Sequence, residues 1–248
     1  MVMPTSGIAS TKYSEIKKAH PWRRCPIGQH FVKEHIIHIK PSKKHPDGLV
    51  KIHNYCANNP SRKEELSYDE IQFITQTYFA TLSGSPTAGI LIKDYPTSDD
   101  FDGLIRGWTK YWDDIFNSDD PLDANLVKAL LGSESSFNIN PAGGNKNAFG
   151  LMQILHDTFL ILQDPKGELH DYLVRIPWNK ILDPTSNICI GIRWLYQKKK
   201  LASIRLKRKA SWDEAVIEYK SYWTQVNAGQ IPQGLANFRE IYQLLQGG

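Results

Sequence analysis

The chain has 248 residues, of which 41% are hydrophobic and 11% aromatic, and its formal net charge is +4. A chain of this length can bury one hydrophobic core and a second, smaller hydrophobic cluster. The one dense basic run, at residues 198–200 and 205–209, is interpreted as a solvated helix end and loop, and the alternative is attraction to an anionic polymer such as cell wall or nucleic acid. We predict no nucleic-acid partner. No segment approaches the roughly 18 consecutive apolar residues of a transmembrane helix, which excludes the class of helical membrane proteins.

The chain contains three cysteines, at positions 25, 56 and 189. They are too few and too scattered to indicate a disulfide scaffold. Cys189 lies in an isoleucine-rich segment with helical character, so we expect it to be a small buried residue of the core.

Residues 25–58 predict a small module built from β-hairpins. β-Forming residues cluster at 31–32, 35–39 and 49–53, and turn formers separate the clusters. Two Cys/His pairs fall in this module and could bind zinc together, which would stabilise so small a unit. The candidate ligands are Cys25, His30, His53 and Cys56. The alternative is a reduced pair of structural cysteines with histidines on the surface.

Helical segments follow this module. Ser67 to Glu70 has the pattern of a capping box and predicts a helix that runs to about residue 83. Residues 98–116 form a second predicted helix, whose apolar stripe is expected to pack on the C-terminal half of the chain. The stripe consists of Phe101, Leu104, Ile105, Trp108, Trp112, Ile115 and Phe116. Two closing helices are predicted to start near Ser211, at another capping box, and near Gln233.

Glu134 lies on the apolar face of a predicted helix that begins at Asp123. It continues a stripe of helical spacing formed by Leu126, Val127, Leu130 and Leu131. A carboxylate on such a face is costly unless it has a partner or a chemical role. Desolvation there raises the pKa of a carboxyl group and holds its proton near neutral pH, as a general acid requires. The alternative is a helix-end Glu that is hydrogen-bonded to a turn.

Four sequence blocks stand in order between residues 125 and 222. They are Glu-Ser-Ser-Phe-Asn at 134–138, Ala148 with Gly-Leu-Met-Gln-Ile at 150–154, Thr158, and Asp-Pro-Thr-Ser-Asn-Ile at 183–188 with Gly191. In this order the blocks resemble the catalytic domain of the soluble lytic transglycosylases (SLT), in the goose-type branch of the lysozyme superfamily. The resemblance implies a mainly α, lysozyme-like helical domain, preceded here by the small β-containing module.

The resemblance also implies which residues act. The Glu of the Glu-Ser block is the sole catalytic acid/base of the family, and here that residue is Glu134. Ser136, Met152, Gln153 and Tyr219 are implied to lie at the cleft and to bind substrate. For Met152 the alternative is core packing, and for Ser136 it is a local hydrogen bond to the backbone.

The chain departs from the family pattern next to Tyr219. Members tend to carry Ala-Tyr-Asn there, whereas this chain has Glu218-Tyr219-Lys220. An ammonium close to Glu134 favours the carboxylate and works against a general acid, unless the Lys220 side chain points to solvent. An ion pair between these two residues would favour a non-catalytic binding or structural protein that keeps the fold.

The activity that the resemblance implies is that of a peptidoglycan lytic transglycosylase. Glu134 would protonate the glycosidic oxygen between N-acetylmuramic acid and N-acetylglucosamine and then accept a proton from the muramyl 6-hydroxyl, giving a 1,6-anhydro product. A single carboxyl group would then act as both acid and base, whereas most glycosidases use two carboxyl groups. No metal or cofactor is implied. The alternative is a goose-type muramidase that consumes water, with Asp157 as its second acid. An exposed helix position is the simpler interpretation of Asp157.

We divide the chain into residues 1–66, an N-terminal tail with the small β module, residues 67–120, a helical connecting region, and residues 121–248, the SLT catalytic domain. Residues 1–22 lack the apolar core of a signal peptide. For an enzyme that acts on glycan strands of the bacterial cell wall, this suggests delivery by lysis, by a phage particle or by a secretion system. Components of such a particle or machine are then expected partners.

Overall fold

A computed structural model describes residues 22–26, 28–60, 63–89, 92–141 and 147–247. Within these ranges the protein is mainly helical, and its strands pair only two at a time. The helices are α1 (Tyr68–Tyr78), α2 (Asp102–Phe116), α3 (Ala124–Ser135), α4 (His156–Ile161), α5 (Pro184–Leu206), α6 (Trp212–Tyr219), α7 (Trp223–Asn227) and α8 (Gln233–Gln246). The strands are β1 (Gln29–Val32), β2 (His35–His38), β3 (Leu49–Ile52), β4 (Tyr55–Asn58), β5 (Glu64–Ser67), β6 (Ala148–Phe149), β7 (Ile154–Leu155) and β8 (Tyr172–Arg175). The predicted fold class, mainly α with a small N-terminal β-containing module, is confirmed.

Residues 29–58 form a long antiparallel hairpin, which we call the arm. Strand β1 pairs with β4 and β2 pairs with β3, and Val32 opposite Tyr55 and His35 opposite Ile52 follow one continuous register. The predicted hairpin module is therefore confirmed, with β4 as a strand that the sequence analysis did not identify. Side chains of β2 are exposed throughout, so the outer half of the arm contributes little to the core.

The zinc site considered for this module is not formed. Cys25, in the segment before β1, and Cys56 in β4 form a disulfide, with 5.7 Å between their Cα atoms. Because both sulfurs form this bond, neither can bind zinc as a thiolate. The alternative of a reduced pair of cysteines is wrong as well. His30 contacts the side-chain oxygen of Asn59, and His53 lies 3.5 Å from a carboxylate oxygen of Glu34. Among the described residues no group of three or more potential ligands is placed to hold a metal ion.

Arg23 joins the base of the arm to the helical body. Its side chain is fully buried and forms ion pairs with Glu64, the first residue of β5, and with Glu70 in α1. It also donates a hydrogen bond to the carbonyl oxygen of Gln29 at 2.8 Å. One guanidinium thus connects the segment before the arm, the first strand of the arm and α1.

Strand β5 and helix α1 continue without a break. Ser67 caps α1 in a complete capping box with Glu70, as the sequence predicts, although the α-helix ends at Tyr78 and a 3₁₀ turn follows it. Strand β5 pairs in parallel with β8, more than a hundred residues further along the chain. This ladder joins residues on both sides of the boundary that the sequence analysis places at 66.

Helix α2 packs on α5, as its apolar stripe predicts. The indole N–H of Trp108 donates to the Thr185 hydroxyl at 2.8 Å, and that of Trp112 donates to the carbonyl oxygen of Cys189 at 3.0 Å. Cys189 is fully buried, as expected. No helix in the described part of the chain is long and apolar enough to cross a membrane.

The closing helices bring the ends of two distant segments together. Helix α8 packs along α3, and α6 packs along α5. Helix α6 begins at Ser211 with a complete capping box, as predicted, and α8 begins at Gln233. The last turn of α3 and the end of α6 carry the residues of the candidate site.

Candidate active site

Helix α3 fixes the position of Glu134. The side chain of Asp123 accepts the backbone N–H of Asn125 and caps the helix start, and the apolar stripe is buried. The helix ends at Ser136, which adopts a left-handed conformation with φ of +52°. Glu134 therefore stands in the last turn, where 16% of its side chain is exposed. The predicted helix start and buried stripe are confirmed.

Lys220 is the ionic partner of Glu134. Its ammonium nitrogen lies 2.7 Å from Glu134 Oε1, and only 4% of the lysine side chain is exposed. Lys220 caps the end of α6, and the next residue, Ser221, turns the chain with a φ of +58°. The side chain does not point to solvent, so the ion pair that would favour a non-catalytic protein is present.

Burial nevertheless controls the proton affinity of Glu134. The pKa of its carboxyl is raised above the ordinary value because desolvation disfavours the charged form. The charge of Lys220 and its hydrogen bond lower the pKa and offset part of this effect. The net direction is the one that a general acid requires.

Two tyrosines complete the electrostatic surroundings of Glu134. Burial raises the pKa of Tyr219 well above its ordinary value, and the negative charge of Glu134 adds to the effect. The pKa of Tyr222 is raised by the same two causes. Both phenols are therefore neutral, and both lie within electrostatic range of the carboxylate.

A tight turn between β6 and β7 lies against Tyr219, whose hydroxyl donates to the carbonyl oxygen of Met152 at 2.6 Å. The Met152 side chain is fully buried and packs against Gly191, where an added Cβ would lie 2.2 Å from its sulfur. Gln153 has a φ of +48°, and its amide nitrogen donates to the carbonyl oxygen of Gly150. The turn is thus held by hydrogen bonds at Met152 and at Gly150.

Asn187 of α5 holds this turn in place. Its amide nitrogen donates to the carbonyl oxygens of Phe149 and Ile181, and its oxygen accepts the backbone N–H of Met152 at 2.8 Å. Gly150 approaches it so closely, with a φ of +74°, that an added Cβ would lie 2.3 Å from the amide nitrogen. Asn187 belongs to the fourth block of the resemblance, but its role in positioning the turn was not predicted from the sequence.

We expect Asn187→Ala to destabilise the protein by about 2–4 kcal/mol, because buried backbone groups of the turn lose their partners. Urea unfolding followed by circular dichroism measures this difference. Asn179→Ala is the control, since Asn179 lies exposed in a 3₁₀ turn, and its change should stay within about 0.5 kcal/mol. Equal effects of the two substitutions would contradict the positioning role of Asn187.

The other predicted site residues lie as follows. Ser136 is exposed and lies two residues after Glu134. Asp157 lies in the first turn of α4 with 95% of its side chain exposed, which agrees with an exposed helix position. Substrate contact by Ser136, Met152, Gln153 and Tyr219 stays a prediction. Tyr222 was not predicted as a site residue. The one signal for it in the sequence is its position, three residues after Tyr219.

Comparison with known protein families supports the resemblance. Residues 117–220 match the family model described as transglycosylase SLT domain. The matched segment holds Glu134, the turn between β6 and β7, Tyr219 and Lys220. The lysozyme-like, mainly helical fold class and a peptidoglycan lytic transglycosylase type of function agree with this match. No curated protein and no solved structure matches the chain significantly.

Proposed function

We propose that this protein, whose residues 117–220 match the transglycosylase SLT domain, is a lytic transglycosylase of peptidoglycan. The bond cleaved joins N-acetylmuramic acid to N-acetylglucosamine. The observation that carries the proposal is Glu134 itself, a carboxyl in the last turn of a buried helix and within the matched segment. Burial raises its pKa, while 16% of its side chain is open to a substrate.

Glu134 acts in two steps. Its protonated carboxyl first gives the proton to the glycosidic oxygen as the bond from that oxygen to the muramyl anomeric carbon breaks. The carboxylate then takes the proton of the muramyl 6-hydroxyl as its oxygen bonds to the anomeric carbon. The proton count on Glu134 is restored, no water is consumed, and a 1,6-anhydro sugar results. The acetamido group of the substrate stabilises the developing cation in place of a second carboxylate.

The substrate-binding residues of this proposal are Ser136, Met152, Gln153 and Tyr219. Ser136 is exposed beside the acid and can bind a sugar hydroxyl. Tyr219 is held by Met152 through its hydroxyl, and Met152 contributes through its backbone because its side chain is buried. Gln153 lies at the edge of the turn with its side chain half-buried. In this proposal the four residues form one wall of the substrate cleft.

The Cys25–Cys56 disulfide supports action outside the reducing cytoplasm. Disulfides form and persist in oxidising compartments and are rare where glutathione keeps thiols reduced. A protein that acts on cell-wall glycan works in such a compartment. The proposed site of action is therefore the bacterial cell wall.

The ion pair between Lys220 and Glu134 favours a second candidate function. A carboxylate whose charge is neutralised by a buried ammonium is a stable structural element as well as a latent acid. The second candidate is a protein that binds the wall glycan without cleaving it.

Mass spectrometry of fragments released from purified sacculi tests the proposal. Lytic transglycosylase products are lighter by one water than the muramidase products of the same strands. Products with an ordinary reducing end would instead support the hydrolytic alternative, and Asp157→Asn would then test its second acid. Binding to sacculi without any released fragment would support the second candidate.

A further inference from the structure

Lys220 is a buried cation whose position the proposed reaction does not yet explain. Its ammonium lies 2.7 Å from Glu134, and 4% of its side chain is exposed. Lys220 is also the cation whose charge affects Glu134 in the described part of the structure. The pair is neutral as a whole as long as Glu134 keeps its negative charge.

The proposed reaction disturbs this neutrality. Glu134 must be protonated when substrate is bound, and its protonation leaves the ammonium of Lys220 without a counter-ion. A buried charge that has lost its partner costs several kcal/mol. The ammonium therefore needs another anion at the moment when Glu134 becomes an acid.

We infer that Lys220 binds a carboxylate of the substrate in exchange for Glu134, and this inference rests on the proposed function. Muramyl residues carry acidic peptides, so a peptidoglycan strand brings carboxylates to the cleavage site, whereas a neutral glycan does not. Lysine suits such an exchange because it is a point charge on a flexible four-carbon stem. Lys220 is then a specificity-determining residue that selects carboxylated glycan strands.

The exchange has a balanced order of events. A substrate carboxylate pairs with Lys220, Glu134 is released and takes a proton from solvent at its accessible edge, and that proton passes to the glycosidic oxygen. The muramyl 6-hydroxyl then returns a proton to Glu134. When product leaves with its carboxylate, Glu134 gives this proton to solvent and pairs with Lys220 again.

Binding of two matched muropeptides tests the inference. One carries free carboxylates on its peptide, and the other carries the same carboxyls as amides. By isothermal titration calorimetry we expect wild type to bind the carboxylate form at least about tenfold more tightly, since a lost charge pair in a buried site costs more than 1.4 kcal/mol. Lys220→Met should bind both forms equally, and Lys220→Arg should keep the preference.

Two further variants serve as controls for this experiment. Lys220→Asn is a second neutral variant in case the methionine variant does not fold, and Lys166→Met, at an exposed turn, should bind like wild type. Equal binding of the two forms by wild type, a preference that persists without Lys220, or no binding of either form overturns the inference. Selective binding without fragment release from sacculi contradicts the proposed function alone. Fragment release together with unselective binding contradicts the inference alone.

Discussion

Glu134→Gln is expected to lower fragment release from sacculi by at least about a thousandfold. A positioned acid or base contributes between about a hundredfold and ten thousandfold, and in the proposed reaction Glu134 serves as both. Gln keeps the size and the hydrogen-bonding oxygen of Glu but can neither donate the proton nor accept it back. The measurement is the initial rate of soluble muropeptide release, followed by mass spectrometry.

Because Glu134 is paired with Lys220, Glu134→Gln is expected to lower stability as well as activity. A double variant that removes both charges separates the two effects. Removing the carboxylate leaves the ammonium of Lys220 unpaired, which costs about 3 kcal/mol of stability because one partner of a buried pair is lost. Glu134→Gln combined with Lys220→Met removes both charges and should regain most of that stability without regaining activity. If the double variant is stable and still releases fragments at the wild-type rate, Glu134 is not the acid.

The second large effect is expected at Arg23. Arg23→Met should destabilise the protein by about 3–5 kcal/mol, because two buried carboxylates, Glu64 and Glu70, lose their common cation. The methionine side chain fills much of the volume of the arginine side chain but carries no positive charge to pair with the two carboxylates. The midpoint of urea unfolding, followed by circular dichroism, measures the loss.

Arg24→Met is the matched control for Arg23. The guanidinium of Arg24 is exposed and lies over the rings of Phe31 and Phe73, at 4.4 and 3.6 Å from their centroids. A cation–π contact at an exposed site contributes about 0.5–1 kcal/mol, so the expected loss is small. Similar losses in the two variants would contradict the view that burial of the ion pairs at Arg23 makes the difference.

Local sequence signals identified most of the helices. The capping boxes at Ser67 and Ser211 act within four residues, so their pattern specifies a helix start regardless of the rest of the chain. The apolar stripe of α2 specified a buried face, but the sequence did not show that Trp108 and Trp112 bond to α5. Pairings over such distances depend on how helices pack.

For the strands of the arm, too, the sequence predicted the elements but not their long-range contacts. Alternating β-formers and turn residues predicted the hairpin, yet the spacing of the cysteines and histidines was compatible with zinc or with free thiols. Only the tertiary structure brought Cys25, in the segment before β1, to Cys56 in β4. The parallel pairing of β5 with β8 left no sequence signal, because a long connection separates the two short strands.

By itself the sequence determined the fold class, the helix starts and the position of Glu134 at the end of a buried helix, because these depend on short motifs in a fixed order. Only the tertiary structure decided that Lys220 is buried against Glu134 and that Asn187 holds the turn beside it. Lys220 and Glu134 are 86 residues apart, and their contact exists because α6 ends where α3 ends. A side chain's direction at such a junction is set by the packing of whole helices, which a linear motif does not encode.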